Sequence, residues 1–379
     1  MKKFTSILKV RPEDFVVEEI LDLPPLGDKG PFSYYRLKKR NINTLNAIDL
    51  IQKYWKIPRS RIGFCGLKDK RAVTVQYLSI EDGPEKNLQL PNFTLEYLGK
   101  TEKPLSLGDA KGNLFTITLR SVNPKIIVKR LEIIKDIGFA NYFGEQRFAP
   151  DLYMKKPFVK IALEKGLEEA LKEYFCQHPS RGSLLKRLWG KWEEFFKRAA
   201  HLSPIEKRVL LTYIKKGDAE KAFRVFPKHL KLLFLFSYQS LLWNRVLANF
   251  LRKYSNYYEV EFVRKEKIAF YKELNPLLKE YIDLQLPFIS EEVFEWKGPE
   301  EFKREILRVI QQENLEALFN KEIADLKIFN PGARKIIVFP ENLKILEIDK
   351  SRVRFKFFLP SGSYATIFML KLLTYPIKN

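Results

Sequence analysis

Cysteine and histidine are scarce in this sequence, which has two cysteines and three histidines in 379 residues. Cys65 and Cys176 cannot form a disulfide framework, and they lack the spacing of metal-binding cysteines. The histidines, His178, His201 and His229, lie far apart in the sequence. This scarcity argues against a histidine-based metal site and against a Ser/His catalytic triad.

Long apolar segments and cofactor-binding patterns are also missing. No stretch long enough to span a membrane is free of charges, and no long apolar run follows the first four residues, so no signal peptide is predicted. Glycine-rich nucleotide-binding patterns and clusters of metal ligands are absent as well. We therefore expect a cytoplasmic protein.

Acidic residues are too few to balance the basic ones. Lys and Arg total 68 against 46 Asp and Glu, which gives a net charge of +22. Such a surplus favours a polyanionic partner, because each phosphate that Lys or Arg neutralises releases counterions. A heat-adapted surface would explain many charges of both signs, but not this imbalance. Residues 29–71 concentrate the surplus, with twelve basic residues interleaved with six aromatic ones, as backbone capture with base stacking requires.

Strand-like and helix-like segments follow each other on the scale of the whole chain. Strands are predicted at 15–20, 61–64, 72–80 and 114–120, with a helix at 44–57. Most of residues 138–329 look helical, and strands return at 336–339, 345–348 and 353–358 before a last helix at 365–373. The simplest arrangement is an α+β protein in which residues 1–137 and 339–379 form a sheet domain and residues 138–338 form an inserted, mainly helical domain.

The turn at residues 66–71 is a candidate for chemistry. Asp69 follows Lys68 and precedes Lys70 and Arg71. Nearby cations favour the ionised form of a carboxylate, which is a usable nucleophile. Asp and Gly are also ordinary turn residues, so the turn alone favours a structural interpretation. In the strand that follows, Thr74 and Gln76 share one face, where they could line a site or face water.

Three further segments could bind nucleic acid. Asn113 and Phe115 share a strand face, and an amide beside a ring could grip a nucleobase; a core Phe with a turn Asn is the alternative. Residues 141–148 mix aromatic, amide and Arg side chains, as binding surfaces often do. The turn at residues 359–366 leads into the last helix, where backbone N–H groups could hold a phosphate or simply begin the helix with a Ser cap.

Taken together, these segments resemble the TruD family of transfer-RNA pseudouridine synthases. The matching motifs occur in the family's order and span nearly the whole chain, at residues 11–19, 66–76, 112–120, 141–148, 238–244 and 359–366. The resemblance implies a mixed, largely antiparallel catalytic sheet with helices, and an inserted TRUD domain that is mainly helical.

The resemblance also implies roles for single residues. Asp69 matches the catalytic aspartate, and Lys9 matches a basic residue that pairs with it. The positions expected to contact the substrate are Phe15, Asn113, Phe115 and Tyr364. The positions expected to support the catalytic motif are Lys68, Thr74 and Gln76. Phe115 is the ring expected to stack on the uracil, and Tyr364 adds a hydroxyl where Phe is common.

The implied reaction isomerises uridine to pseudouridine in tRNA, at uridine 13 of the D arm. It exchanges the N1–ribose bond for a C5–ribose bond, so no electron or group donor is needed and no cofactor or metal is expected. The base must leave the RNA stack. Attack by Asp69 at ribose C1′ and attack at uracil C6 both remain open, as does the acceptor of the C5 proton. tRNA is the expected partner, with no membrane and no obligate protein partner.

A non-catalytic RNA-binding or RNA-chaperone protein is the alternative from another class. Its charge and aromatic content would be the same, but the Lys68-Asp69 turn with Thr74 and Gln76 counts against it. A metal-dependent nuclease is a weaker alternative, because it would need clustered carboxylates.

Overall fold

The computed structural model describes residues 9–377 of the chain. The chain divides into two compact units. Of the described residues, 9–138 and 338–377 belong to the first unit and 139–337 to the inserted unit. A two-residue strand at Ile337–Val338 crosses the second boundary and is described with the inserted unit.

The N-terminal part of the first unit alternates strands with two helices. After a 3₁₀ turn at Pro12–Asp14, its elements are β1 (Phe15–Ile20), β2 (Phe32–Arg40), α1 (Thr44–Trp55), β3 (Ile62–Phe64), β4 (Val73–Glu81), β5 (Leu88–Leu90), β6 (Phe93–Thr101), β7 (Gly112–Arg120) and α2 (Pro124–Ile137). Helix α1 begins after Asn43, whose side chain accepts a hydrogen bond from the Asn46 N–H, as an N-cap residue does. It ends before Lys56, which adopts the left-handed conformation.

The inserted unit is mainly helical. Its elements are β8 (Phe139–Ala140), a 3₁₀ segment (Glu145–Asp151), α3 (Phe158–Lys165), α4 (Leu167–Phe175), α5 (Gly182–Arg187), α6 (Trp192–Arg198), α7 (Pro204–Lys216), α8 (Ala219–Arg224), α9 (Lys228–Tyr254), β9 (Tyr257–Glu261), β10 (Lys267–Tyr271), α10 (Pro276–Glu280), β11 (Gln285–Pro287), α11 (Glu300–Glu313), β12 (Glu322–Ile323), β13 (Leu326–Lys327), β14 (Ala333–Lys335) and β15 (Ile337–Val338). The hairpin of β9 and β10 lies in a region where the sequence suggested helix, and its Tyr-Tyr-Glu-Val-Glu strand has the aromatic and β-branched residues that strands favour.

The C-terminal residues return to the first unit as β16 (Glu341–Asp349), β17 (Arg352–Pro360) and α12 (Ala365–Thr374). Among the described residues, nine strands form one sheet with the order β16-β17-β7-β1-β4-β2-β6-β5, and β3 pairs with β4. β1 and β4 run parallel, whereas the other recorded pairings in this sheet are antiparallel. This sheet confirms the predicted α+β class.

Two helices pack on the same face of the sheet, one near each edge. Ile48 and Ile51 of α1 pack with Leu37 and other apolar residues of β2, β4 and β6. On the other side, the Phe368 ring of α12 lies 4.4 Å from the Phe357 ring of β17. Strands β7, β1 and the adjoining part of β4 lie between these two packed areas. Side chains of these strands on the same face form the candidate site.

Candidate active site

One row of side chains crosses five neighbouring strands on the helix-covered face. The row runs from Lys39 in β2 through Thr74, Val17 and Phe115 to Phe357 in β17, each residue paired with the next. Directly opposed residues in neighbouring strands share a face, so these side chains project to the same side. The row therefore places Thr74 and Phe115, which were predicted from separate motifs, on one surface.

The loop that carries Asp69 is held by two side chains below it. Gln76 is buried in β4, and its Nε2 donates to the Gly66 carbonyl at 3.2 Å. Its Oε1 accepts a hydrogen bond of 2.8 Å from the Thr44 hydroxyl, whose oxygen accepts another of 2.9 Å from the Lys68 N–H. Gln76 thus acts on the loop backbone and does not face water.

Lys39 holds the same loop from the neighbouring strand. Its ammonium donates to the carbonyls of Ile42, Lys68 and Asp69 at 2.8, 3.3 and 2.9 Å, and the residue is only 1% exposed. Burial lowers the pKa of Lys39 to about 8, partly offset by the negative charge of Asp69. An ammonium has three N–H donors, so the three carbonyls use them all.

The Asp69 carboxylate meets a cation and an aromatic ring. Lys9 Nζ lies 2.5 Å from Asp69 Oδ2, with side-chain exposures of 19% and 24%. The same ammonium lies 3.9 Å from the centroid of the Phe15 ring, within the range of a cation–π contact. Lys9 therefore connects the carboxylate to the first aromatic residue of the site.

The Lys68 side chain does not pair with Asp69, its neighbour in the sequence. Its Nζ pairs with Glu19 Oε1 at 2.6 Å, and Glu19 Oε2 accepts a hydrogen bond from the Tyr77 N–H at 3.0 Å. Lys70 and Arg71 are exposed. Lys9 thus pairs with the carboxylate of Asp69, while Lys68 pairs with a buried glutamate of β1.

The basic span 29–71 is not a uniform charged surface. Lys39 and Lys68 point inward, and Arg40 and Arg61 pair with Glu13 and Asp82. The span's exposed members are Lys29, Lys38, Arg40, Lys53, Lys56, Lys70 and Arg71. The local charge surplus in the sequence therefore overstates the charge available for docking a polyanion.

The aromatic part of the site is well packed. Phe115 is 7% exposed and Phe15 is 2% exposed. The Phe115 ring stacks on Phe357 with centroids 5.4 Å apart and meets Phe15 edge-on at 6.0 Å. Such pairs hold rings in fixed orientations, so Phe115 has a defined plane but little open surface in this conformation.

Two buried polar atoms on this face make no hydrogen bond within residues 9–377. They are Thr74 Oγ1 and Asn113 Oδ1. Asn113 is paired with Glu19 of β1 and Leu359 of β17, on the row next to that of Phe115. Buried polar atoms are usually satisfied, so these two are candidates for contacts with a polar ligand.

Tyr364 lies at the start of α12, and its carbonyl accepts hydrogen bonds from the N–H groups of Ile367 and Phe368. The preceding turn is tied to β7, because the Ser361 N–H donates to the Lys111 carbonyl at 2.8 Å. Tyr364 is therefore attached near the Asn113 end of β7. Its half-buried side chain belongs to the same unit as the other predicted contacts.

The strand ends that carry the site have their own anchors. Asp14 accepts hydrogen bonds from Arg120 Nε and Nη2 at 2.8–3.0 Å and from the Arg11 N–H at 2.9 Å, which fixes the start of β1 before Phe15. At Gly112, an added Cβ would lie 2.2 Å from the Leu359 carbonyl oxygen. The glycine next to Asn113 is therefore required by the close approach of β17.

Other nucleophiles and metal sites find no support in the described residues. Burial raises the pKa of the Cys65 thiol to about 12, which disfavours the reactive thiolate. Within residues 9–377, no group of three or more His, Cys, Asp and Glu residues is arranged to hold a metal ion. No helix in this part of the chain has the length and apolar character needed to cross a membrane.

A family model described as tRNA pseudouridine synthase D (TruD) matches residues 1–372. The chain belongs to the TruD family. It is 36% identical over 388 residues to the tRNA pseudouridine synthase D of Aquifex aeolicus, covering 98% of this chain and 99% of that protein. A TruD relative from Methanocaldococcus jannaschii is 36% identical over 389 residues, covering 95% and 90% of the two chains.

The crystal structure of a Methanosarcina mazei TruD protein shares the fold of this chain. The TM-score is 0.64 at 23% identity, over 97% of this chain and 92% of the other. The predicted family resemblance is thus confirmed by family, sequence and fold comparisons.

Sequence reasoning missed three residues that shape the site: Lys39, Thr44 and Glu19. Lys39 was counted only as part of a basic span. Its position gave a usable signal, because Tyr35, Leu37 and Lys39 alternate on one face of β2 and a lysine at an apolar-face position must find partners. Glu19 gave the same signal, because Phe15, Val17 and Glu19 alternate on one buried face of β1. Thr44 gave none, since its partner Lys68 is 24 residues away.

Proposed function

We propose that this protein is a tRNA pseudouridine synthase that converts uridine 13 of the D arm to pseudouridine, with Asp69 as its nucleophile. Family membership supports the reaction and the substrate. The observation that carries the choice of Asp69 is its ion pair with Lys9 on a loop held by Lys39, Thr44 and Gln76. The first unit would be the catalytic domain and the inserted unit the TRUD domain.

The reaction breaks the bond from uracil N1 to ribose C1′ and forms a bond from C5 to C1′. In one route, the Asp69 carboxylate attacks C1′ and the bonding electrons leave with N1; the rotated uracil then attacks C1′ through C5, and the carboxylate departs. In the other route, the carboxylate adds to C6 and holds the base while the glycosidic bond is broken and re-formed. In both, C5 loses its proton, N1 gains one and the carboxylate is regenerated.

The surrounding residues support recognition of a base that has left the RNA stack. Removing a base from the stack costs about a few kcal/mol, and each stacking ring returns roughly 1–3 kcal/mol. Phe115 would supply a ring after a small opening of its packed environment, and Phe15 and Tyr364 would complete the contact surface. Thr74 and Asn113 would direct their unpaired oxygens toward the uracil or ribose edge.

Asp69→Asn tests the nucleophile directly. The substitution keeps the shape of the side chain and removes its charge, so turnover should fall at least about a thousandfold while tRNA affinity stays within about twofold. Turnover is measured as tritium release from tRNA labelled at uracil C5. Asp49→Asn is the matched control, because Asp49 lies exposed on α1 in the same unit and its loss should leave release unchanged.

The outcomes separate the competing functions. Parental tritium release by Asp69→Asn would end the assignment of the nucleophile. A parent protein that binds tRNA without releasing tritium would instead be a non-catalytic RNA-binding protein, and EDTA-sensitive cleavage of the RNA chain would indicate a nuclease. Mapping pseudouridine in RNA from cells with and without the protein tests the choice of uridine 13.

A further inference from the structure

The inserted unit contains a pocket of about 150 Å³ beside the N-terminal half of α9. Three phenylalanines, four polar residues and one proline line it. Its main lining residues are Phe143, Arg147, Phe236, Gln239, Ser240 and Phe288. Asp69 and the other proposed reaction residues belong to the first unit and do not line it.

Specific backbone contacts fix the aromatic walls. Asn244 of α9 accepts a hydrogen bond from the Phe143 N–H at 2.9 Å and donates to its carbonyl at 3.1 Å. Directly after β11, the Phe288 N–H donates to the Gly332 carbonyl at 2.8 Å. A Cβ added at Gly332 would lie 3.0 Å from the Phe288 ring, so the glycine lets that ring pack against the backbone. The walls are therefore positioned before any ligand arrives.

The polar part of the pocket keeps unused hydrogen-bonding capacity. Gln239 Nε2 donates to the carbonyls of Ile289 and Asn330 at 3.0 and 2.6 Å, which leaves the Gln239 Oε1 as an acceptor. Arg147 Nε is buried and makes no hydrogen bond within the described residues. The pocket thus offers a donor in Arg147, an acceptor in Gln239 and a hydroxyl in Ser240.

Arg147 also gives the pocket a planar cation. Its guanidinium carbon lies 5.1 Å from the Phe143 ring centroid and 5.4 Å from that of Phe236. Flat rings, a guanidinium plane and mixed donors and acceptors are the groups that bind unstacked bases in RNA recognition.

A phosphate would suit this pocket less well. Phosphate sites gather several N–H donors, whereas here the amide hydrogens of Gln239 are used by carbonyls and its oxygen would repel an anion. The volume of about 150 Å³ equals that of an engineered cavity of about 150 Å³ that binds benzene. One six-membered ring therefore fits, and the purine double ring would protrude.

We propose that this pocket binds one unstacked pyrimidine base of the RNA, other than the uridine that reacts. The proposal rests on the proposed function for the presence of RNA and adds a second point at which the substrate is recognised. It predicts that the enzyme selects RNAs in which a second pyrimidine is free to leave its stack.

The test combines protein variants with tRNA copies that each lack one pyrimidine base. Phe236→Leu keeps apolar bulk and removes the stacking ring, while Ser240→Leu fills the pocket without removing a wall. Phe294→Leu is the control, because Phe294 is 51% exposed in the same unit and does not line the pocket. The probes are the tRNA and copies of it in which each unpaired pyrimidine in turn is replaced by an abasic residue. Dissociation constants are measured at fixed salt with the full chain, and thermal melting checks folding.

We expect one abasic position, apart from the target uridine, to weaken binding by the parent about tenfold. Phe236→Leu and Ser240→Leu should weaken binding of intact tRNA by a similar factor and lose sensitivity to that position, whereas Phe294→Leu should behave as the parent. The proposal is wrong if no second pyrimidine affects binding by the parent, a result that needs no variant to fold. It is also wrong if the abasic position weakens binding by the pocket variants as much as it weakens binding by the parent, because the two losses of binding free energy would then be independent. Tritium release by the parent shows separately whether the proposed function holds.

Discussion

Replacing Lys39 with methionine would remove the ammonium that holds the loop of Asp69. The three carbonyls of Ile42, Lys68 and Asp69 would each lose a charged donor. Methionine has a similar length and fills the space of the lysine stem. The substitution therefore tests the hydrogen bonds without leaving a large cavity.

Two opposing effects decide the change in stability. The fall of the Lys39 pKa from 10.5 to about 8 means that the buried charge destabilises the folded state by about 3 kcal/mol relative to the neutral amine. Against this, each carbonyl that loses its partner costs roughly 1 kcal/mol or more, which is about 3 kcal/mol for three. We therefore expect the free energy of unfolding to change by less than about 2 kcal/mol, because the two effects nearly cancel.

Turnover should respond more strongly than stability. In the proposed reaction Asp69 must be held in place for attack, and misplacement of about 1 Å can slow catalysis about a hundredfold. We expect Lys39→Met to lower turnover at least about tenfold. Lys38→Met is the matched control, since Lys38 is the exposed neighbour in β2, and it should leave turnover unchanged.

The pH dependence gives a second signature of Lys39. Its pKa is about 8 in the folded protein and 10.5 ordinarily, so between these values the unfolded chain binds more protons and the folded state gains stability as pH rises. Turnover should fall over the same range, because a neutral amine has two N–H donors for three carbonyls. The charges nearest this ammonium are those of Asp69 and Lys68.

Urea denaturation and tritium release, each measured from pH 7 to 10 on the parent and Lys39→Met, check this reasoning. The parent-minus-variant difference in stability should rise with pH, and the difference in turnover should shrink. Parental turnover in Lys39→Met across this range would refute the role of Lys39 in positioning the loop.

Two further substitutions separate charge from structure. Lys9→Met removes a cation that pairs with Asp69. Because this pair is partly exposed, the free energy of unfolding should change by less than about 1 kcal/mol, while tritium release falls at least about tenfold. Unchanged release would contradict a role for the cation. Asp14→Asn removes the negative charge that pairs with Arg120, whose side chain is 31% exposed. It should lower the free energy of unfolding by about 2 kcal/mol in urea denaturation, and a loss below about 1 kcal/mol would show that Asp14 does not anchor β1.

The sequence was most informative where one local rule applied. The short run rich in apolar residues after Arg11-Pro12 predicted β1 at Phe15–Ile20, and the structure confirms those bounds. The periodic apolar residues of α1 predicted its start at Thr44, although the helix ends at Trp55, two residues before the expected end. The strand-rich ends and helix-rich middle predicted the α+β class, because each end of the chain shows strand periodicity.

Contacts between distant residues could not be predicted in the same way. The sequence placed Lys68 beside Asp69 because they are neighbours in the chain, but a loop can direct adjacent side chains apart, and Lys68 found Glu19. The same limit hid the hydrogen bond that Gln76 donates to the Gly66 carbonyl and the one that it accepts from the Thr44 hydroxyl. The catalytic and substrate-contact roles of the predicted residues stay predictions until the variants are measured.

The cross-strand row from Lys39 to Phe357 has a consequence for synthesis of the chain. Phe357, whose ring supports Phe115, lies in β17, 242 residues after Phe115 in sequence. The inserted unit is contiguous and is complete before β17 leaves the ribosome, so it can fold first, as domains generally fold as units during translation. The sheet must wait for β16 and β17, and a nascent chain therefore cannot complete the row of side chains until β17 has been made.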